Sequence, residues 1–89
     1  MQVEVNAKDL RDFARFLSRI AHEMSSVSRG TNVSFQEMSK SWRDDMFYQF
    51  RKEYEAAAQD IEYFLKIAEA YVNYLEEKAR RIDRFLERR

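Results

Sequence analysis

Apolar residues recur at alternating steps of three and four along almost the whole of this chain, and one such run gives way to another at Ser41-Trp42-Arg43-Asp44. That step is the period of one face of an α-helix. Two runs with one junction predict two helices joined by a bend, and Trp42, the only tryptophan, stands at the bend. The 89 residues include no proline and one glycine, with 36% charged and 45% hydrophobic, a composition that favours long helices over sheets closed by tight turns. The sequence therefore predicts an all-α protein with one domain over residues 1–89, a two-helix antiparallel hairpin. Helix one is expected over about 7–40, the turn at about 41–44 and helix two over about 45–87. A hairpin of this size has too little interior to cover its own apolar residues, so assembly into a dimeric four-helix bundle is expected.

Asn6 has the short polar side chain of a helix N-cap, placed to accept a hydrogen bond from the backbone of Lys8 or Asp9, with Val5 and Leu10 spaced as a hydrophobic staple. Leu10, Phe13, Leu17, Ile20, Met24 and Val27 then form the core face of helix one, and Ala14 and Ala21 a neighbouring row of small residues. Gly30-Thr31-Asn32 is the weakest stretch, and Ser34-x-x-Glu37 with Val33 and Met38 resembles a second capping box. The phase nevertheless continues through Val27, Thr31, Phe35, Met38 and Trp42. This favours one helix, frayed or kinked near residues 29–33, over a three-helix arrangement. Trp42 is expected to close the turn end against Met38 and Met46, with its N–H satisfied locally.

Asp44 can cap helix two, and with Asp45 it places negative charge at the positive end of the helix dipole. The main apolar row is Phe47, Phe50, Tyr54, Ala57, Ile61, Phe64, Ala68, Tyr71, Leu75, Ile82 and Phe85. A companion row of Ala58, Leu65, Val72, Ala79 and Leu86 runs beside it at intervals of seven. At about 1.5 Å per residue the helix would be on the order of 60 Å long. Between residues 61 and 77 the polar side chains keep to roughly 100° of the helix and the apolar ones spread over about 220°. The excess is the row Tyr63, Ile67, Ala70 and Tyr74, with Phe64 and Tyr71 adjoining. Contiguous apolar surface of this kind marks an interface, and these six residues are the candidate contact.

The residues for catalysis are missing. His22 is the sole histidine and there is no cysteine, so no zinc set or disulfide is available and the redox compartment stays open. The carboxylates lie along helix faces as surface charges, with Glu62/Lys66 and Glu76/Arg80 in the favourable order for i,i+4 pairs. No glycine-rich phosphate loop is present and no hydroxyl stands beside a base. A non-enzymatic protein without cofactor or metal is expected. Sixteen Lys and Arg balance sixteen Asp and Glu, so no overall field draws the chain to nucleic acid or anionic lipid. Arg11, Arg15 and Arg19, and the basic residues of 78–89, could still contact phosphates. Basic residues at a helix C-terminus also suit its dipole, and nucleic-acid binding is the more distant alternative. Met1-Gln2-Val3-Glu4-Val5 lacks the basic flank and apolar core of a signal peptide, and no segment could span a bilayer.

The stretch Trp42–Tyr54 resembles the WXG family, the early secreted antigenic target-like helical hairpins. That family carries a Trp-x-Gly turn, then a small residue two positions on, and an aromatic and a tyrosine in the following turns. Trp42, Phe50 and Tyr54 stand at matching positions, while Asp44 replaces the glycine and Met46 the small residue, giving a Trp-x-Asp variant. The resemblance implies a homo- or heterodimeric protein of a type VII-like secretion system, made in the cytoplasm and exported without a cleaved signal, recognised by an export ATPase or carrying a toxin partner. One departure stands out. The family's export signal is Tyr-x-x-x-Asp/Glu, yet the residues four places beyond Tyr48, Tyr54, Tyr63, Tyr71 and Tyr74 are Lys52, Ala58, Ile67, Leu75 and Lys78. A cytoplasmic helical adaptor or secretion chaperone with no export of its own is therefore the alternative.

Overall fold

Asn6 opens the first helix: its Oδ1 accepts a 2.8 Å hydrogen bond from the backbone N–H of Asp9, one of the donors that a helix start leaves unpaired. In the computed structural model, which describes residues 5–87, helix α1 runs Ala7–Met38 and helix α2 Asp45–Glu87. Helix one is a single helix, as expected, and it does not fray near residues 29–33. Residues 29–33 are helical throughout, Gly30 included, and the Thr31 hydroxyl donates to the Val27 carbonyl at 2.8 Å. Ser34 and Glu37 accordingly lie within α1 and start no new helix.

The helix stops slightly before the expected residue 40. Lys40 N–H binds the Glu37 carbonyl at 3.3 Å, a tighter spacing than the α-helical one, and the Ser39 hydroxyl donates to the Gln36 carbonyl at 2.7 Å. Residues 39–44 then turn the chain, and Asp44 caps α2 by accepting the Phe47 N–H at 2.9 Å. Arg11 meets Asp83 at the open end and Phe35 meets Phe47 at the turn, so the two helices pack antiparallel. The result is an all-α hairpin, elongated to 68 × 25 × 14 Å.

Packing between the helices differs from the expected face. The buried apolar residues are Ala7, Ala14, Phe47, Ala68 and Ala79, four of the five being alanine. On α2 the companion row turns inward except at its end: Ala58, Leu65 and Val72 are half-buried and Ala79 is buried, alongside Tyr54, Ile61, Ala68, Leu75 and Ile82, while Leu86 is exposed. Half of the expected main row turns outward instead, with Phe50, Ala57, Phe64, Tyr71 and Phe85 exposed. On α1, Ala14 is buried while Phe13 and Val27 are exposed. Size explains the exchange. Helices meeting through alanine approach closely, and a phenylalanine or tyrosine at those positions would hold them apart.

Candidate interaction surface

Asp44 fixes the start of α2, and this brings the turn residues together around a residue that the turn pattern did not include. Phe35 on α1 stacks on Tyr54 with ring centroids 4.6 Å apart and on Phe47 at 5.7 Å, and lies 5.9 Å from Phe50. Trp42 meets Phe47 edge-on at 5.4 Å and Phe50 at 6.0 Å. Trp42, Phe50 and Tyr54 thus share one aromatic cluster at the turn, next to the Asp44 cap. The indole packs on phenylalanines, while Met38 and Met46, its expected neighbours, are 51% and 63% exposed. No buried side-chain nitrogen or oxygen among the described residues lacks a partner, so the indole N–H is not stranded. The signal for Phe35 was its place in the continuing phase of helix one, seven residues before Trp42 in the same row.

The second set of residues lies along the length of α2. Tyr63, Tyr71 and Tyr74 are 67%, 58% and 49% exposed, Phe64 is 37% exposed, Ala70 is exposed and Ile67 is half-buried. Helix α1 adds Phe13, Phe16 and Val27 to the exposed apolar surface. Ile20, Met24 and Val27 of α1 meet Ala57, Ala58 and Ile61 of α2 around a groove of about 420 Å³. The groove places the exposed rows of both helices on one side of the hairpin. The other side is more polar, with a cleft that includes Ser18, His22, Ser25, Glu69 and Asn73.

This one-sidedness leaves the molecule with surplus surface. Its accessible area is 7556 Å², against about 5,500 Å² for a compact monomer of its 10.8 kDa mass. No large side chain among the described residues is fully buried. Apolar burial is the main favourable term in folding, and this hairpin leaves most of its aromatic side chains exposed.

Several charged groups pair with one another. Arg11 binds Asp83 at 2.8 Å and Arg15 binds Asp12 at 2.6 Å, while Arg19 lies 5.4 Å over the Phe16 ring. Each arginine of the α1 row therefore has a partner within the chain. Arg80 and Arg84 both reach Glu77, at 2.9 and 3.5 Å, in place of the expected Glu76/Arg80 pair. Glu62 and Lys66 likewise form no ion pair among the described residues. Hydrogen bonds from Arg80 hold the Glu77 carboxyl below its ordinary value, as Lys8 does for Asp12. Arg88 and Arg89, part of the basic stretch, lie outside the described residues.

Among the described residues no group of three or more His, Cys, Asp or Glu is placed to hold a metal ion, and no helix is long and apolar enough to cross a membrane. No protein-family model, curated protein or solved structure matches this chain. The WXG resemblance rests on Trp42, Phe50, Tyr54 and the layout of the hairpin.

Proposed function

We propose that this chain is a non-enzymatic, WXG-like interaction protein of a type VII-like secretion system, working as a dimer of hairpins, either secreted itself or as an adaptor for a toxin partner. One observation carries this view. Tyr63, Phe64, Tyr71 and Tyr74 of α2 are exposed while four of the five buried apolar residues are alanines, so the hairpin reserves its apolar surface for another protein. The cluster of Trp42, Phe50 and Tyr54 beside the Asp44 cap is the docking point for an export component.

Export is tested by following the tagged chain in its own cells, with the type VII-like export ATPase intact or inactivated. Recovery from the medium that depends on the ATPase is the expected result. Trp42→Phe should leave the melting temperature unchanged and abolish that recovery. Retention inside the cell in both strains would overturn the export view. The lack of an acidic residue four places after any tyrosine favours, in that event, a cytoplasmic adaptor or secretion chaperone.

A further inference from the structure

We propose that the cleft beside the turn, built on Arg43 and Arg51, is a binding site for a phosphate monoester carried on an aromatic or apolar group. It lies apart from the Tyr63, Ile67 and Tyr74 row and depends neither on secretion nor on a second hairpin.

Three segments meet at this cleft of about 380 Å³: Gln36 and Ser39 from the end of α1, Arg43 from the connection, and Tyr48, Arg51 and Glu55 from the start of α2. Tyr48, Arg51 and Glu55 follow at steps of three and four and share one face of the helix. The wall behind them is firm. Phe35 and Phe47 also line the cleft, stacked 5.7 Å apart, with Phe47 only 3% exposed. Asp44, the acid next to Arg43, is committed to the Phe47 N–H at 2.9 Å.

Charge sets the class of ligand. Arg43 forms no ion pair among the described residues, and Arg51 meets only Glu55, at 3.9 Å, a separation too long for a hydrogen bond. The Arg51 guanidinium lies 5.7 Å over the Tyr48 ring, a contact that orients it. The side chains of Gln36, Arg43, Tyr48 and Arg51 donate no hydrogen bond to any described residue. Two planar donor forks, an amide and a phenol therefore line one cleft without an acceptor of their own. A carboxylate has two oxygens and is filled by one bidentate guanidinium. A phosphate monoester has three terminal oxygens and about −1.5 to −2 charge at pH 7, so it can take donors from both arginines at once. The Tyr48 ring, 50% exposed, is then available to the group that carries the phosphate.

The other basic clefts are built differently. Arg11, Arg15 and Arg80 line one of them, but each already holds a carboxylate, at 2.8, 2.6 and 2.9 Å. Lys78 and Arg81 line a depression on α2 alone. Glu55 is the one acid lining the turn cleft, and its 65% exposed side chain is free to turn to solvent when an anion enters.

Phenyl phosphate is the probe, followed through the backbone and arginine N–H resonances of isotope-labelled protein. It should shift the signals of Arg43, Tyr48 and Arg51 saturably, and phenol should not. Arg43→Gln and Arg51→Gln should each raise its dissociation constant several-fold, and Glu55→Gln should lower it. Lys78→Gln/Arg81→Gln should leave it unchanged, and helix content by circular dichroism should be retained in every variant. A capped Gly-phosphotyrosine-Gly peptide separates the sources of the phosphate. Binding at least as tight as that of phenyl phosphate assigns the cleft to a phosphorylated protein segment, and weaker binding assigns it to a free phosphate ester. Equal shifts from phenol, or folded arginine variants that bind phenyl phosphate as the natural chain does, would overturn the proposal. An equal loss of binding in Lys78→Gln/Arg81→Gln would overturn it too, because attraction would then follow overall charge and not this cleft.

Discussion

Phe35 and Tyr54 stack with ring centroids 4.6 Å apart and an interplanar angle of 27°, joining the end of α1 to the first turns of α2. Phe35 also meets Phe47 and Phe50, so its removal loosens three contacts across the hairpin at once. Phe35 is half-buried, and Phe35→Ala should cost about 2–3 kcal/mol, somewhat under the range for a fully buried phenylalanine. Chemical denaturation measures it. A loss no larger than that of an exposed surface substitution would mean that the cluster contributes little to the fold.

Ala79 is 0% exposed at the seam between α1 and α2. Ala79→Leu should force the helices apart and destabilise the hairpin by about 1–3 kcal/mol. A melting temperature that rises instead would show that the seam has room, contrary to an alanine-packed contact.

Gly30 lies inside α1 with a negative φ and with nothing within 4 Å of the position a Cβ would take. Alanine there gains helix propensity and restricts the unfolded chain, so Gly30→Ala should stabilise by about 1 kcal/mol. A destabilised variant would point to a break in α1 at this position.

Asp12 and Glu77 are held below their ordinary values of 3.8 and 4.5, chiefly by hydrogen bonds from Lys8 and Arg80. A carboxyl depressed in the folded state contributes stability that is complete above its ordinary value and is lost as pH falls through the folded value. Their contribution should hold above pH 4.5 and decline as acidification passes 3.8 into the lowered values. Both pairs are exposed, so the effect is small and should weaken with salt. Melting curves of Lys8→Ala/Arg80→Ala should show a shallower acid decline; a slope identical to that of the natural chain would remove these pairs as its cause.

Much of the hairpin was legible because its signals are local. Asn6 and Asp44 cap through bonds to residues three positions on, and the apolar period needs only the chain's own helix. Which apolar row faces the other helix was not legible in the same way. On α2, Phe64 and Tyr71 lie directly beside Leu65 and Val72, and both rows are apolar. The choice depends on the opposing surface, where the small side chain of Ala14 on α1 is buried. Gly30 and the Ser34-x-x-Glu37 pattern suggested a fray that the helix does not show, for a related reason. Apolar contacts of Met24 and Phe35 on either side hold the helix through a stretch whose local preferences are weak. The aromatic side itself could be anticipated from Tyr63, Ile67 and Tyr74, although its extension over Phe13, Phe16 and Val27 required knowing how the two helices face.

The mass of the purified chain in solution, followed by light scattering across the micromolar range, tests most directly whether a second copy covers the aromatic side. The natural chain should give twice its 10.8 kDa, and Ile67→Glu should give 10.8 kDa with its helix content retained. A natural chain at 10.8 kDa at every concentration would contradict the claim.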